Sequence, residues 1–272
     1  MAKSTILNFF PFSIRYRYKF MGDLLVAFLS KKHNKMNGKT IKLSYQDVVA
    51  LHRGIEIDEK EEKNEIIVSL NDINLPKELI ERMYDHQKEG VQWMYGLYIQ
   101  RLGGILGDDM GLGKTFQVST LLTGLFRMNS IKRVLIVTPV SVLRSWMKEL
   151  SSHLLPYTRH VGLELISSDI AKAKRIKILK NIFTLNFPTV VVTSYHVLSN
   201  LSDSFAGYGT WDYVILDEGH TIKNPHTKLS KSVHELRTNH KLLLTGTTLT
   251  FHSLFLIHSH TLSFIHRHTY TE

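Results

Sequence analysis

The chain has 272 residues and carries 34 Lys and Arg against 24 Asp and Glu, a formal net charge of +10 at pH 7. Apolar residues make up 43% of it and charged residues 21%, ordinary proportions for a chain that buries a core. Cysteine is absent, which excludes disulfides, cysteine-ligated zinc, iron–sulfur clusters and thiol nucleophiles. A basic surplus of this size suits a polyanionic partner such as nucleic acid, and equally suits plain solubilising charge until a motif decides.

Residues 1–72 read as an irregular N-terminal extension. The basic residues Arg15, Arg17 and Lys19 precede the apolar run Leu24–Leu29, an arrangement faintly like a signal peptide. Asp23 interrupts that region and no small-residue cleavage site follows. The run is also far short of the ~20 residues that cross a bilayer, so no membrane partner is expected. Further on, Glu56, Asp58, Glu59, Glu61, Glu62 and Glu65 form an acidic run of the kind found on solvated linkers.

From Leu75 to Gly246 the texture changes. Ile105-Leu106, Val134–Val137, Thr189–Val192, Tyr213–Leu216 and Leu242–Leu244 are short apolar runs without strict alternation. Such runs predict strands buried on both faces of a parallel sheet. Helical spacing lies between them. Val118, Leu121, Leu122 and Leu125 follow i, i+3, i+4, i+7, and Ile176, Leu179 and Phe183 repeat a similar stripe amid Lys172, Lys174, Arg175, Lys177 and Lys180. Alternating strands and helices imply an α/β domain whose ligands sit at the carboxyl ends of the strands.

The strongest local signal is Gly107-Asp108-Asp109-Met110-Gly111-Leu112-Gly113-Lys114-Thr115, lying after one predicted strand and opening a helix. That context suits a phosphate-binding loop, with Gly111 and Gly113 letting backbone N–H groups converge on an anion. Lys114 is placed to reach β- and γ-phosphates and Thr115 to ligate Mg²⁺. Asp108 departs from the general pattern, which has glycine there. A second element, Val214-Ile215-Leu216-Asp217-Glu218-Gly219-His220, is an apolar run ending in two carboxylates. Asp217 suits the Mg²⁺ shell and Glu218 the polarisation of an attacking water, the division of labour that γ-phosphate hydrolysis requires.

Taken together, Asp108 to Thr115, Asp217 to His220 and Leu244 to Thr247 resemble motifs I, II and III of the Swi/Snf family of superfamily 2 DNA translocases and chromatin remodellers. Tyr84 to Gly90 resembles the family's adenine-side Gln motif. Leu135 to Pro139, with Trp146 downstream, resembles motif Ia, and Thr193-Ser194-Tyr195 resembles motif Ib. Gly219 within Asp-Glu-Gly-His, and Gly103 to Gly107 ahead of the loop, are similar to the Cockayne-syndrome-B-like branch of the Polo-interacting checkpoint helicase type. The resemblance spans roughly residues 75–247. It implies a single RecA-like P-loop lobe over residues 73–250, using ATP and Mg²⁺ in DNA repair or chromatin remodelling.

Carried onto matching positions, the resemblance implies that Gln87 reads the adenine edge and that Asp108 to Thr115 hold the triphosphate. Lys114, Asp217 and Glu218 become the catalytic set, with Thr115 and Asp217 on the metal. His220 and Thr245 couple nucleotide state to the DNA side, and Thr138, Ser194 and Lys223 approach the DNA backbone. For these last three, capping a helix or satisfying a turn is an equally good reading. Trp146 reads as core packing rather than a base-stacking platform. The resemblance further implies double-stranded DNA bound without sequence preference, chromatin proteins as partners, and the nucleus.

After Gly246 the motif pattern dissolves, with Thr248, Thr250 and Phe251 standing where the family has proline, glutamine and asparagine. Residues 251–272 predict an irregular tail outside the family pattern, the product of a truncated or misread gene. Its histidines, His258, His260, His266 and His268, lack a neighbouring carboxylate to orient them and do not read as a metal site. The family's second lobe and its arginine finger have no counterpart. Two functions therefore compete: the ATP-binding lobe of a DNA translocase, or a nucleotide- and DNA-binding module without turnover.

Overall fold

A computed structural model describes residues 69–222, 224 and 226–246, together with the backbone of two strands at 41–44 and 261–265. Among the described residues eight strands form one sheet: β1 (Ile41–Ser44), β2 (Gly103–Leu106), β3 (Arg133–Thr138), β4 (Gly162–Ile166), β5 (Thr189–Ser194), β6 (Tyr213–Asp217), β7 (Lys241–Leu244) and β8 (Thr261–Ile265). The helices are α1 (Lys77–Arg82), α2 (Asp85–Gln100), α3 (Lys114–Arg127), α4 (Leu143–His153), α5 (Lys172–Thr184), α6 (Tyr195–Asn200), α7 (Ser202–Gly207) and α8 (Lys228–Glu235).

The spatial order is β1-β8-β2-β7-β6-β3-β5-β4. The six strands from β2 to β4 are parallel throughout, as the five unbroken apolar runs predict. Alternate residues of these strands feed two separate cores. Leu106, Val134, Ile136, Val192, Ile215 and Leu244 pack on one face with Met94 and Leu97 of α2, Leu121 and Leu125 of α3 and Leu150 of α4. Ile105, Leu135, Val137, Val191, Leu216 and Leu243 pack on the other with residues of α5 to α8, among them Leu179, Leu198, Phe205 and Val233. Both sides of the sheet are covered, which is why the strands carry no polar alternation. Gly104 permits the tight seat of α2 on β2, since a Cβ there would collide with Leu97 Cδ1.

Both ends of the chain depart from the irregular structure expected of them. Within the tail, Thr261–Ile265 adds a strand parallel to β2, in register from Gly103↔Leu262 to Leu106↔Ile265. Within the N-terminal extension, Ile41–Ser44 pairs antiparallel with β8. The physical reason is the open edge of β2, whose peptide groups need partners. Thr-Leu-Ser-Phe-Ile is a period-two run of good strand formers, and a search for helical stripes passes over it. Among the described residues no helix is long and apolar enough to cross a membrane.

Candidate functional site

Strand register gathers the candidate residues at one level of the sheet. Leu106, the last residue of β2, pairs with Leu244 of β7, and Leu244 pairs with Asp217 of β6. One strand further, Val137 of β3 pairs with Leu216, and Thr138 pairs with Ser194 of β5. The glycine loop, the Asp217-Glu218 pair and Thr245-Gly246 therefore leave three adjacent strands side by side. With neighbouring strands about 4.8 Å apart, they share one small volume.

The loop turns into α3 through two left-handed glycines, Gly111 at φ 89° and Gly113 at φ 76°. Gly113 is the N-cap of α3 and supplies no side-chain acceptor to its first turn. Unpaired first-turn N–H groups and the positive end of a helix dipole are the combination that attracts anions. Lys114 Nζ bends back onto the loop, donating to the carbonyls of Asp108 at 2.5 Å and Asp109 at 3.0 Å. Burial pushes the ammonium below its usual range, opposed by the carboxylates of Asp108, Glu218, Asp217 and Asp109. Gly246 closes the far side: a Cβ there would sit 2.9 Å from Met110 Cγ and 3.6 Å from Lys114 Nζ. Thr115 follows in the first turn, half-buried, and Met110 is exposed.

Asp108, where a glycine is general, turns inward. It is fully buried and its Oδ2 accepts from Gln117 Nε2 at 3.0 Å, fastening the loop to α3. Gln117 Nε2 also reaches the Leu112 carbonyl at 3.3 Å. This side chain braces the loop from within, bonded to α3 and lying below the chain's surface. Gln87 bridges from the other side, its Nε2 donating to Leu112 O at 3.2 Å and its Oε1 accepting from Tyr84 N at 3.1 Å. A primary amide has a second N–H and further lone pairs, so capacity remains for an edge-on partner.

Asp217 is the most heavily bonded carboxylate of the site. Its Oδ2 accepts from Trp146 Nε1 at 2.7 Å and from Thr138 Oγ1 at 3.0 Å, and its Oδ1 accepts from Glu218 N at 3.0 Å. Its backbone carbonyl accepts from Tyr195 OH at 2.7 Å. Glu218 sits at φ 51°, a left-handed conformation that costs energy for a side chain with a Cβ and recurs at functional sites. Glu218 Oε2 lies 3.1 Å from His220 Nδ1. Thr245 is buried, and its N–H donates to Leu106 O across the strands.

Two expected DNA contacts are corrected here. Thr138 is fully buried with its hydroxyl committed to Asp217, and Ser194 is buried with its Oγ capping α6 through Val197 N. Neither hydroxyl is presented to a DNA strand; both satisfy internal donors and acceptors. Lys223 lies outside the described residues, as do the tail histidines. Trp146 is core, as expected, and also a hydrogen-bond donor to Asp217, which sequence spacing does not reveal. Tyr195 and Gln117 were likewise missed: the threading of the sheet brings Tyr195 to Asp217, and the winding of α3 brings Gln117 to Asp108.

Comparison with known proteins agrees with this geometry. A family model described as the SNF2-related domain matches residues 86–271, more than half of the chain. "Protein CHROMATIN REMODELING 24" of Arabidopsis thaliana is 36% identical over 211 residues, covering 71% of this chain and 18% of that protein. Human "DNA excision repair protein ERCC-6" is 32% identical over 186 residues, covering 64% of this chain and 12% of that protein. The chain thus spans less than a fifth of the length of these relatives. Among solved structures, the Sulfolobus solfataricus SWI2/SNF2 ATPase core in complex with dsDNA matches with a TM-score of 0.53 at 28% identity. That match covers 64% of this chain and 35% of the other. With a RecA-like lobe of the SNF2 ATPase core type, the chain belongs to the SNF2-related domain family.

Proposed function

We propose that this chain is the ATP-binding lobe of a DNA-dependent ATPase and translocase, with the lobe over residues 73–250 between an extension and a tail. The observation that carries this reading is the convergence, on three adjacent strands, of an anion-attracting helix start, a lysine and two carboxylates. The donor set fits Mg·ATP. The glycine loop leads straight into the N-terminus of α3, Lys114 is a half-buried cation whose Nζ donates to the Asp108 and Asp109 carbonyls, and nothing lies within 4 Å of a Cβ built on Gly111. Among the described residues no three His, Cys, Asp or Glu side chains form a metal cage by themselves. Mg²⁺ ordinarily takes one or two protein oxygens together with waters and substrate phosphates.

In this reading Lys114 binds the β- and γ-phosphates, Thr115 and Asp217 hold Mg²⁺, and Gln87 reads the base. When bound, Mg²⁺ neutralises charge on the phosphates during transfer. Glu218 orients a water through its carboxylate, with His220 fixing that carboxylate and, with Thr245, relaying nucleotide state toward DNA. The partner is double-stranded DNA, held without sequence preference by a +10 chain through contacts that include Lys223. Relatives named for chromatin remodelling and DNA excision repair support work in the nucleus alongside chromatin proteins.

A second reading is binding without turnover. DNA-stimulated phosphate release separates the two. Binding itself is tested by calorimetry with Mg·ATP. Lys114→Ala should abolish the heat of binding and leave the melting temperature unchanged; equal affinity in both proteins would sink the assignment. DNA affinity should be equal for two unrelated duplexes and fall about tenfold between 50 and 200 mM salt for every two phosphates neutralised. A marked sequence preference would count against it.

A further inference from the structure

The polar groups at the ends of β3 and β5 do not face outward, as a DNA-contacting role would require, but inward onto one residue. Trp146 is 1% exposed, and its indole N–H donates to Asp217 Oδ2 at 2.7 Å. Thr138, the last residue of β3, donates to the same oxygen at 3.0 Å. Tyr195, immediately after β5, donates to the Asp217 carbonyl at 2.7 Å. Three elements that lie to one side of β6 therefore end on a single residue.

Packing alone does not require this. A buried tryptophan satisfies its N–H with any carbonyl, as Trp211 does with Phe205 O at 2.8 Å. Here the acceptor is a carboxylate oxygen already bonded by a threonine, and hydrogen bonds to an ionised acceptor are about twice as strong as neutral ones. Two donors on Oδ2 and the Glu218 N–H on Oδ1 fix the rotation of the carboxylate about its own axis. The orientation of Asp217 is thereby set by β3 and α4 on one oxygen and by its own neighbour Glu218 on the other. Any displacement of the β3–α4 junction moves the carboxylate with it.

We infer that Trp146 and Thr138, aided by Tyr195, are positioning residues that hold the Asp217 carboxylate in its metal-binding orientation and tie that orientation to the β3–α4 junction. This rests on the nucleotide reading above. It assigns Trp146 a role beyond core packing and gives Thr138 one different from a DNA contact.

The experiment uses the 272-residue chain and two near-isosteric variants. Trp146→Phe keeps a ring in the core and deletes the N–H; Thr138→Val keeps the shape and deletes the hydroxyl. ATP affinity is measured by calorimetry with Mg²⁺ and again with EDTA. Loss of an outer partner of a ligating group typically costs 10–100-fold in metal affinity. The Mg²⁺-dependent gain in ATP affinity should therefore fall at least about tenfold in Trp146→Phe and less in Thr138→Val, with affinity in EDTA unchanged. A structural role would lower both affinities together, and that result, or an unaltered Mg²⁺ gain in either variant, would overturn the proposal. Should Trp146→Phe not fold, Thr138→Val and the Trp146 indole ¹⁵N–¹H resonance decide. Thr138→Val should shift that resonance, and so should Mg²⁺ added to the ATP complex; an unmoved resonance in both tests overturns the proposal. Absence of any ATP binding by the unaltered chain would overturn the nucleotide reading and this one together, whereas intact binding with an intact Mg²⁺ gain sinks only the positioning role.

Discussion

The two edges of the sheet use the same kinds of residue to opposite ends. At the amino edge polar groups close on one another: Asp212 Oδ2 accepts from Lys132 N and Arg133 N, both at 2.8 Å. Trp211 N donates to Arg237 O, Tyr98 OH donates to Ser130 O, and the rings of Tyr98 and Tyr213 pack against His240. At the carboxyl edge the backbone departs from its easy regions at Gly111, Gly113 and Glu218, and Lys114 rests on carbonyls that it can leave. One edge converts hydrogen bonds into stability. The other keeps donors and charges oriented at a cost in backbone strain, ready for an anion. Substitutions at the first should therefore move the melting temperature, and those at the second the ligand affinity.

Trp211→Ala gives the largest contrast with Lys114→Ala. Trp211 is fully buried between Phe183 and Phe205, and its removal should cost about 3–5 kcal/mol in chemical denaturation. A loss below about 1 kcal/mol would erase the division between the edges. Asp212→Ala follows. It removes the acceptor of one exposed and one half-buried backbone N–H, for about 0.5–1.5 kcal/mol, with ATP affinity unchanged. Altered nucleotide binding in this variant would mean that the edges communicate.

Acid sharpens the comparison further. Burial, then the Arg101 charge, lower His240 from 6.5 to about 4, with Asp212 opposing. Between those values the unfolded chain binds a proton that the folded chain refuses, so stability falls as pH drops. The slope due to His240 should approach about 1.4 kcal/mol per pH unit and vanish in His240→Phe. Identical profiles for both proteins from pH 6.5 to 4.5 would refute it. A small effect is expected at the carboxyl edge. An added Cβ at Gly219 meets Leu243 Cγ and Cδ2 at 3.0 Å in the buried core, so Gly219→Ala should cost about 1 kcal/mol by thermal unfolding. A cost above about 3 kcal/mol would show that Leu243 cannot yield.

Much of the fold was legible because the central strands are buried on both faces and read as unbroken apolar runs. β4 was not. It is the last strand of the sheet, and the exposed Glu164 breaks the apolar run of Gly162–Ile166. Neither was α2, whose Gly90 and Gly96 blur its stripe although Val91, Met94 and Leu97 are core. In the site, Lys114 and Asp217 could be picked out from local spacing alone. The inward turn of Thr138 could not, because a hydroxyl at a strand end reads the same whether it meets solvent or a carboxylate one strand away; for Ser194 the helix cap, one of its two sequence readings, is the one found. Asp108 showed as an anomaly in the loop, but its partner Gln117 emerges only once α3 is wound.

The place of β2 in the strand order also bears on how the chain is made. Ile105 pairs with Leu243 on one side and Phe264 on the other. Both partners are synthesised roughly 140–160 residues later, which at 5–20 residues per second leaves the strand unpaired for on the order of ten seconds or more. During that interval the nascent glycine loop is anchored by neither neighbour, while β3, β4 and β5 already have partners within reach. The right half of the sheet can thus condense on the ribosome, and the left half only near release. A chaperone that shields apolar segments has a long opportunity at Gly103–Leu106, the strand from which the loop departs.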